Sequence, residues 1–155
     1  MKVLIIILAV AIIAVVVVFF ILGQSSASGK AIGLIDAKLA KCPVSPNCVC
    51  SEYKNDTEHF IAPITTTNSN PTNTKTLLKN AIERMGGHIE HESENYLAAT
   101  FTSAIFKFVD DLEVRIDSNE NVIHLRSASR VGYSDAGVNL KRLKRLKSNL
   151  IPDAK

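Results

Sequence analysis

The sequence predicts an α+β protein: an N-terminal transmembrane helix, then an antiparallel sheet of four to five strands packed on two helices. An unbroken apolar run fills residues 3–22. Between residues 87 and 131, segments of period-two alternation succeed one another at hairpin spacing. Two segments of helical period bracket those strands, giving the order strand, helix, four strands, helix. With 155 residues the chain has room for one domain beside the anchor. The reading divides it into an anchor at 1–23, a stalk at 24–41 and a single domain at 42–150.

The apolar run holds only Val, Leu, Ile, Ala and Phe. As a helix rising about 1.5 Å per residue it spans about 30 Å, the hydrocarbon thickness of a bilayer. A cleavable signal peptide is the alternative, since Ser25, Ser26, Ala27 and Ser28 are small. A secretory apolar core, however, is usually only about 7–15 residues long, so a retained anchor is expected. Lys2 and the terminal amine precede the span, and its immediate flank at 23–29 is uncharged. The positive-inside rule then expects the N-terminus in the cytoplasm and the domain on the extracytoplasmic side. The formal charge of +3 is unevenly placed: residues 136–155 carry six Lys and Arg against Asp153. The basicity belongs to one helix, and nucleic acid is not an expected partner.

Along the stalk a short helical turn is expected at 32–39. Pro43 and Pro46 then stiffen the stretch from Cys42 through Cys48 to Cys50, with a turn at Pro46-Asn47. An extended piece at 59–64 leads into a Thr/Asn/Pro-rich loop at 65–73. The next helix covers 74–85, with Leu77, Leu78, Ala81, Ile82 and Met85 on one face, Asn73 as N-cap and Gly86 as its stop. Strands follow at 87–92, 96–103, 105–117 and 122–131. Ser134 or Asp135 caps a last helix that runs to about residue 150, where Pro152 ends it. That helix turns Leu140, Leu143, Leu146 and Leu150 to the core. Lys141, Arg142, Lys144, Arg145 and Lys147 cover its remainder, a face for solvent or for anionic head groups.

A four-residue turn pairs Asp117 with Val122, which sets Ile116 against Ile123, Val114 against Leu125, Leu112 against Ser127 and Asp110 against Ser129. On the other face Glu113 meets Arg126, and Asp111 lies between Arg126 and Arg130. The polar sheet face of Asp111, Glu113, Arg126 and Arg130 reads as a solvated ion-pair ladder, or as a surface for an anionic ligand or a partner. Asp110, Ser127 and Ser129 lie on the apolar face. They are either hydrogen-bonded within the fold or form, with Arg130 nearby, the polar end of a pocket for lipid or another apolar small molecule.

Catalytic constellations find little support. His124 and Ser127 lie on opposite faces of one strand, which breaks a Ser-His-Asp arrangement. No nucleophile elbow, phosphate-binding loop or zinc-protease motif occurs. His88, Glu90, His91 and Glu92 form a cluster by count, but regular alternation separates the two histidines. No metal or cofactor is expected. Cys42 and Cys48 can bridge if the domain lies outside the cytoplasm; free thiols and a zinc site with His59 are the alternatives.

Two motifs carry a resemblance. Gly33-Leu-Ile-Asp-Ala-Lys-Leu precedes Cys42-Pro-Val-Ser-Pro-Asn-Cys48-Val, and Arg126-Ser-Ala-Ser-Arg-Val-Gly-Tyr-Ser-Asp-Ala-Gly-Val-Asn139 follows later. Phe108-Val-Asp-Asp-Leu-Glu113 matches a third. Through them residues 33–147 resemble the bacterial and plastid family known only as domain of unknown function 1499. The resemblance implies no activity, and the family pattern commonly has Ser where Cys50 stands. The element order is also similar to the TATA-binding-protein-like, helix-grip arrangement, some of whose relatives hold lipids. The expected protein is therefore a membrane-anchored envelope protein binding an apolar ligand or lipid. A non-catalytic module recognising a protein partner through Arg126 and Arg130 is the alternative, and an enzyme comes third.

Overall fold

The computed structural model describes residues 1–66 and 71–150, without the side chain of Pro71. The loop expected at 65–73 falls partly outside these residues, and the helix stop at Pro152 wholly so. The apolar run forms α1 (Lys2–Ala27), a 26-residue helix whose apolar side chains stand exposed along its length.

After α1 the chain does not run off as a stalk. The helical turn expected at 32–39 is a hairpin, β1 (Leu34–Ile35) with β2 (Lys38–Leu39). Asp36 and Ala37 at its tip both have positive φ, the twist that closes a two-residue hairpin. Leu39 is fully buried, so the segment belongs to the folded body. A disulfide joins Cys42 to Cys48. Next come β3 (Cys48–Cys50) and β4 (Ile64–Thr65). The sequence offered β3 only a Pro-rich turn, with too short an alternation to show.

Helix α2 (Pro71–Arg84) begins before the expected Asn73 cap, with proline in its first turn where the missing N–H costs nothing. It buries Leu78, Ala81 and Ile82 but leaves Leu77 exposed. Then β5 (His88–Glu92), β6 (Tyr96–Thr102), β7 (Val109–Asp117) and β8 (Val122–Ser129) lead to α3 (Val138–Leu150). The sheet is antiparallel and six-stranded, in the order β3-β8-β7-β6-β5, with β4 also paired to β8. Its β7–β8 register is the one that strand alternation predicts, from Asp117 with Val122 to Asp110 with Ser129. Strand β7 starts at Val109 rather than at 105, because residues 103–108 are a turn closed by Ser103 N to the Phe108 carbonyl at 2.8 Å.

Each face of the sheet is covered. On one, α2 and α3 bury Leu78, Ile82, Leu143 and Leu146 against Leu97, Leu112, Val114 and Leu125. On the other, Leu39, Cys42, Cys48 and Cys50 pack with Tyr96, Ala98 and Ala128. This second layer is built from residues that the sequence suggested for a stalk and a loop.

Candidate functional site

The second face holds charge as well as apolar side chains. Register sets Glu113 opposite Arg126 and Arg115 opposite His124. Asp111 stands opposite Ala128, which has no group to offer it, so Arg130 reaches in from beyond the end of β8. Its Nε and Nη2 donate to Asp111 at 3.0 and 2.8 Å. Arg126 Nη1 donates to Glu113 Oε2 at 2.6 Å, while the other Glu113 oxygen accepts from the Tyr96 hydroxyl at 2.7 Å and Gly33 N at 2.8 Å.

This ladder is not solvated as expected. Glu113 is 0%, Arg126 3% and Asp111 5% exposed. The cause is tertiary: residues 31–53 lie across the ladder, and alternation records only that a strand has two unlike faces. Burial, reinforced by the Glu113 charge, raises the Tyr96 pKa, which keeps its hydroxyl a hydrogen-bond donor.

Asp110, Ser127 and Ser129 lie on the helix-covered face, where Asn139 and Arg142 of α3 take them up. Arg142 Nη2 donates to Asp110 at 2.7 Å and Nη1 to Ser127 Oγ at 3.0 Å. Asn139 accepts from Ser127 at 2.6 Å and donates to Ser129 at 3.1 Å and to the Asn47 carbonyl at 3.0 Å. The Arg142 guanidinium stacks 4.5 Å over Phe101, although the sequence placed Arg142 on the solvated face of α3. These polar groups thus tie α3 to the sheet, and Leu143 and Leu146 fill the space beside them. Arg130 does not join them: it lies on the opposite face with Asp111. Asp135 accepts from Gly137 N and Asn139 N at 2.9 and 2.6 Å, the N-terminal cap of α3.

Phe106 and Phe108 pack on α1 and not in the sheet–helix layer. Ring centroids of Phe106 lie 5.1 Å from Phe19 and 5.3 Å from Phe20. Gly23 is buried there, and a Cβ on it would fall into the Phe106 carbonyl. Ser26 Oγ accepts from Val109 N at 3.0 Å. Arg130 Nη1 donates to the Ser26 and Ala27 carbonyls at 3.2 and 3.5 Å, a cation at the negative end of the helix dipole. Beside this junction lies a pocket of about 400 Å³ whose lining includes Lys30, Lys41, Asp111, Arg126, Ser129 and Arg130.

At the opposite end of β7 a groove of about 860 Å³ is lined in part by Lys38, Glu52, Arg115, Asp117 and His124. Arg115 Nε donates to Glu52 at 2.7 Å and Nη1 to Asp117 at 3.0 Å. His124 Nδ1 lies 3.3 Å from Ser51 Oγ and 3.6 Å from Glu52 Oε2. A nucleophilic triad needs serine and carboxylate on different ring nitrogens, whereas both sit at Nδ1. Ser51 is also buried, with its Oγ accepting Leu125 N at 2.8 Å. Burial lowers the His124 pKa, with Glu52 opposing.

Among the described residues, Asp117, Glu120 and His124 bring ligand atoms within 4.8 Å of one another. Asp117 is already engaged by Arg115 and by the amides of Asn119 and Glu120, so a cation would compete with a guanidinium. A bulge between Ile89 and His91 interrupts β5, so the regular alternation that set His88 apart from His91 does not hold. Cys50 is a buried free thiol, its pKa pushed up to about 11 by burial.

Sequence reasoning missed Lys30, Lys41, Glu52 and the inward turn of Arg142. Only Arg142 left a signal, lying three residues after Asn139 on the same side of α3. A family model described as "Protein of unknown function (DUF1499)" matches residues 38–150. No curated protein matches the chain.

Proposed function

Because the chain belongs to the DUF1499 family of proteins of unknown function, we propose its role from geometry: a single-pass membrane protein whose domain is seated on the extracytoplasmic bilayer surface and binds lipid there. The observation that carries this reading is the continuous junction of α1 with the domain. Phe19 and Phe20 belong to the apolar run, and Phe106 packs on both. The β6–β7 turn is therefore level with the last turn of a spanning helix. Ile105 at its tip is 69% exposed, an apolar side chain suited to the interface of a bilayer.

A cleaved signal peptide fits less well. Its removal would strip Gly23 and Ser26 from Phe106 and Val109, and two α1 carbonyls from Arg130. The Cys42–Cys48 disulfide agrees with an oxidising compartment outside the cytoplasm. Lipid contact is assigned to the anchor-facing end, since Leu143, Leu146 and Arg142 occupy the gap between sheet and α3. The rival reading, a partner docked through Arg126 and Arg130, has little surface to use, since Arg126 is 3% exposed and Arg130 is held by Asp111 and the end of α1.

Alkaline carbonate extraction with intact-mass analysis tests the proposal. A membrane-retained chain still carrying residues 1–27 is expected; a mature chain lacking them would refute it. Protease added to intact cells should reach the domain, and protection until lysis would reverse the orientation.

A further inference from the structure

We infer that the pocket beside the end of α1 binds the phosphate of an anionic lipid headgroup. This rests on the reading of α1 as a retained anchor, and it names the ligand chemistry of that surface. Four cations, Lys30, Lys41, Arg126 and Arg130, line the pocket together with Asp111. Arg130 is matched by Asp111 and Arg126 by Glu113. Among the described residues Lys30 and Lys41 form no ion pair, which leaves two positive charges uncompensated.

Arg126 supplies a second, independent observation. It is nine-tenths or more buried and lines this pocket, yet its Nε has no hydrogen-bond partner. Buried donors are normally satisfied, and a guanidinium N–H matches the geometry of a phosphate oxygen.

Depth selects the source of the phosphate. Ala27, whose carbonyl meets Arg130, lies five residues past Leu22, or about 7.5 Å along the helix from the end of the apolar run. The polar layer of a bilayer is about 5–8 Å thick on each side, so the pocket stands at headgroup level. Lys30 and Lys41 are exposed and can close over a headgroup that Arg126 meets from below.

The test uses the full chain in nanodiscs containing phosphatidylglycerol and phosphatidylcholine, with retained lipid counted by native mass spectrometry. Phosphatidylglycerol should be enriched about thirtyfold, as two uncompensated lysines near a surface imply. The double variant K30E/K41E should lose that enrichment, while K144E/R145E on the exposed side of α3 should keep it. Equal loss in both would mean diffuse surface charge and would overturn the pocket. In a parallel arm, inorganic phosphate is tested for protection of Lys30 and Lys41 from acylation in detergent. Protection without lipid preference would keep the phosphate chemistry but assign a soluble source. Neither preference nor protection would overturn the inference. Carbonate extraction of the same preparations separates the two failures: a chain absent from the membrane sinks the anchor reading, and an embedded chain without preference sinks only the pocket. Native-state resistance of Cys50 to alkylation verifies that each variant is folded.

Discussion

Glu113 illustrates how a single carboxylate can hold three parts of the chain together. Its two oxygens accept from Arg126 on β8, from Tyr96 on β6 and from the backbone of Gly33 in the covering layer. Removing one member of a buried pair leaves the other charge uncompensated, which costs about 3–5 kcal/mol. Glu113→Ala should therefore lower unfolding stability by that amount in urea titrations, and a loss below about 1 kcal/mol would contradict the burial described. His124 makes a pH-dependent prediction. Its folded pKa is depressed, chiefly by desolvation, so the unfolded chain takes up a proton that the folded chain resists. The stability linked to this residue is fully present above its ordinary value of 6.5 and is lost as the pH falls towards the folded value. His124→Asn should flatten the decline in urea midpoint between about pH 7 and 5. An unchanged slope would show that His124 titrates as in the unfolded chain. The identities of Glu113 and Arg126 as partners were legible from alternation, but their burial was not.

At the level of elements, the junction of α1 with the β6–β7 turn depends on close backbone approach. Gly23 has no space for a Cβ, so Gly23→Val should lift the helix off Phe106 and expose the 103–108 turn to protease. The expected stability loss is about 1–3 kcal/mol, measured by thermal unfolding in detergent, with the secondary structure of both parts retained. Wild-type protease resistance in this variant would argue against the docked junction. Element legibility followed the length of the repeating signal. Residues 111–117 of β7 alternate cleanly, which makes the β7–β8 register readable down to individual pairs. The two-residue strands β1 and β2 carry no usable period, so in sequence their hairpin is not distinguished from a helical turn. Phe106 and Phe108 continue the alternation of β7 in sequence, yet Lys107 adopts positive φ in the turn that sends both rings to α1.

For the whole molecule, the sheet separates two layers of different origin. Helices α2 and α3 give an apolar core on one side, while residues 31–53 shield a ladder of charges on the other. A chain beginning at residue 42 would lose the burial of Leu39 and the bond from Gly33 N to Glu113. It would also lose the Tyr53 hydroxyl bond to the Leu39 carbonyl at 3.0 Å. Such a chain should be less stable than one beginning at residue 29 by at least about 3 kcal/mol. Equal denaturation midpoints would restore residues 29–41 to the role of a stalk. The apolar run, the antiparallel sheet, the β7–β8 register and family membership were determined by the sequence alone, because each rests on local periodicity or contiguous motifs. Only the tertiary structure decided that the charge ladder is buried, that Arg142 turns inward and that α1 joins the domain without a spacer. Those outcomes depend on which distant segment covers a face. Alternation along a strand distinguishes its two sides, but carries no information about what comes to lie upon them.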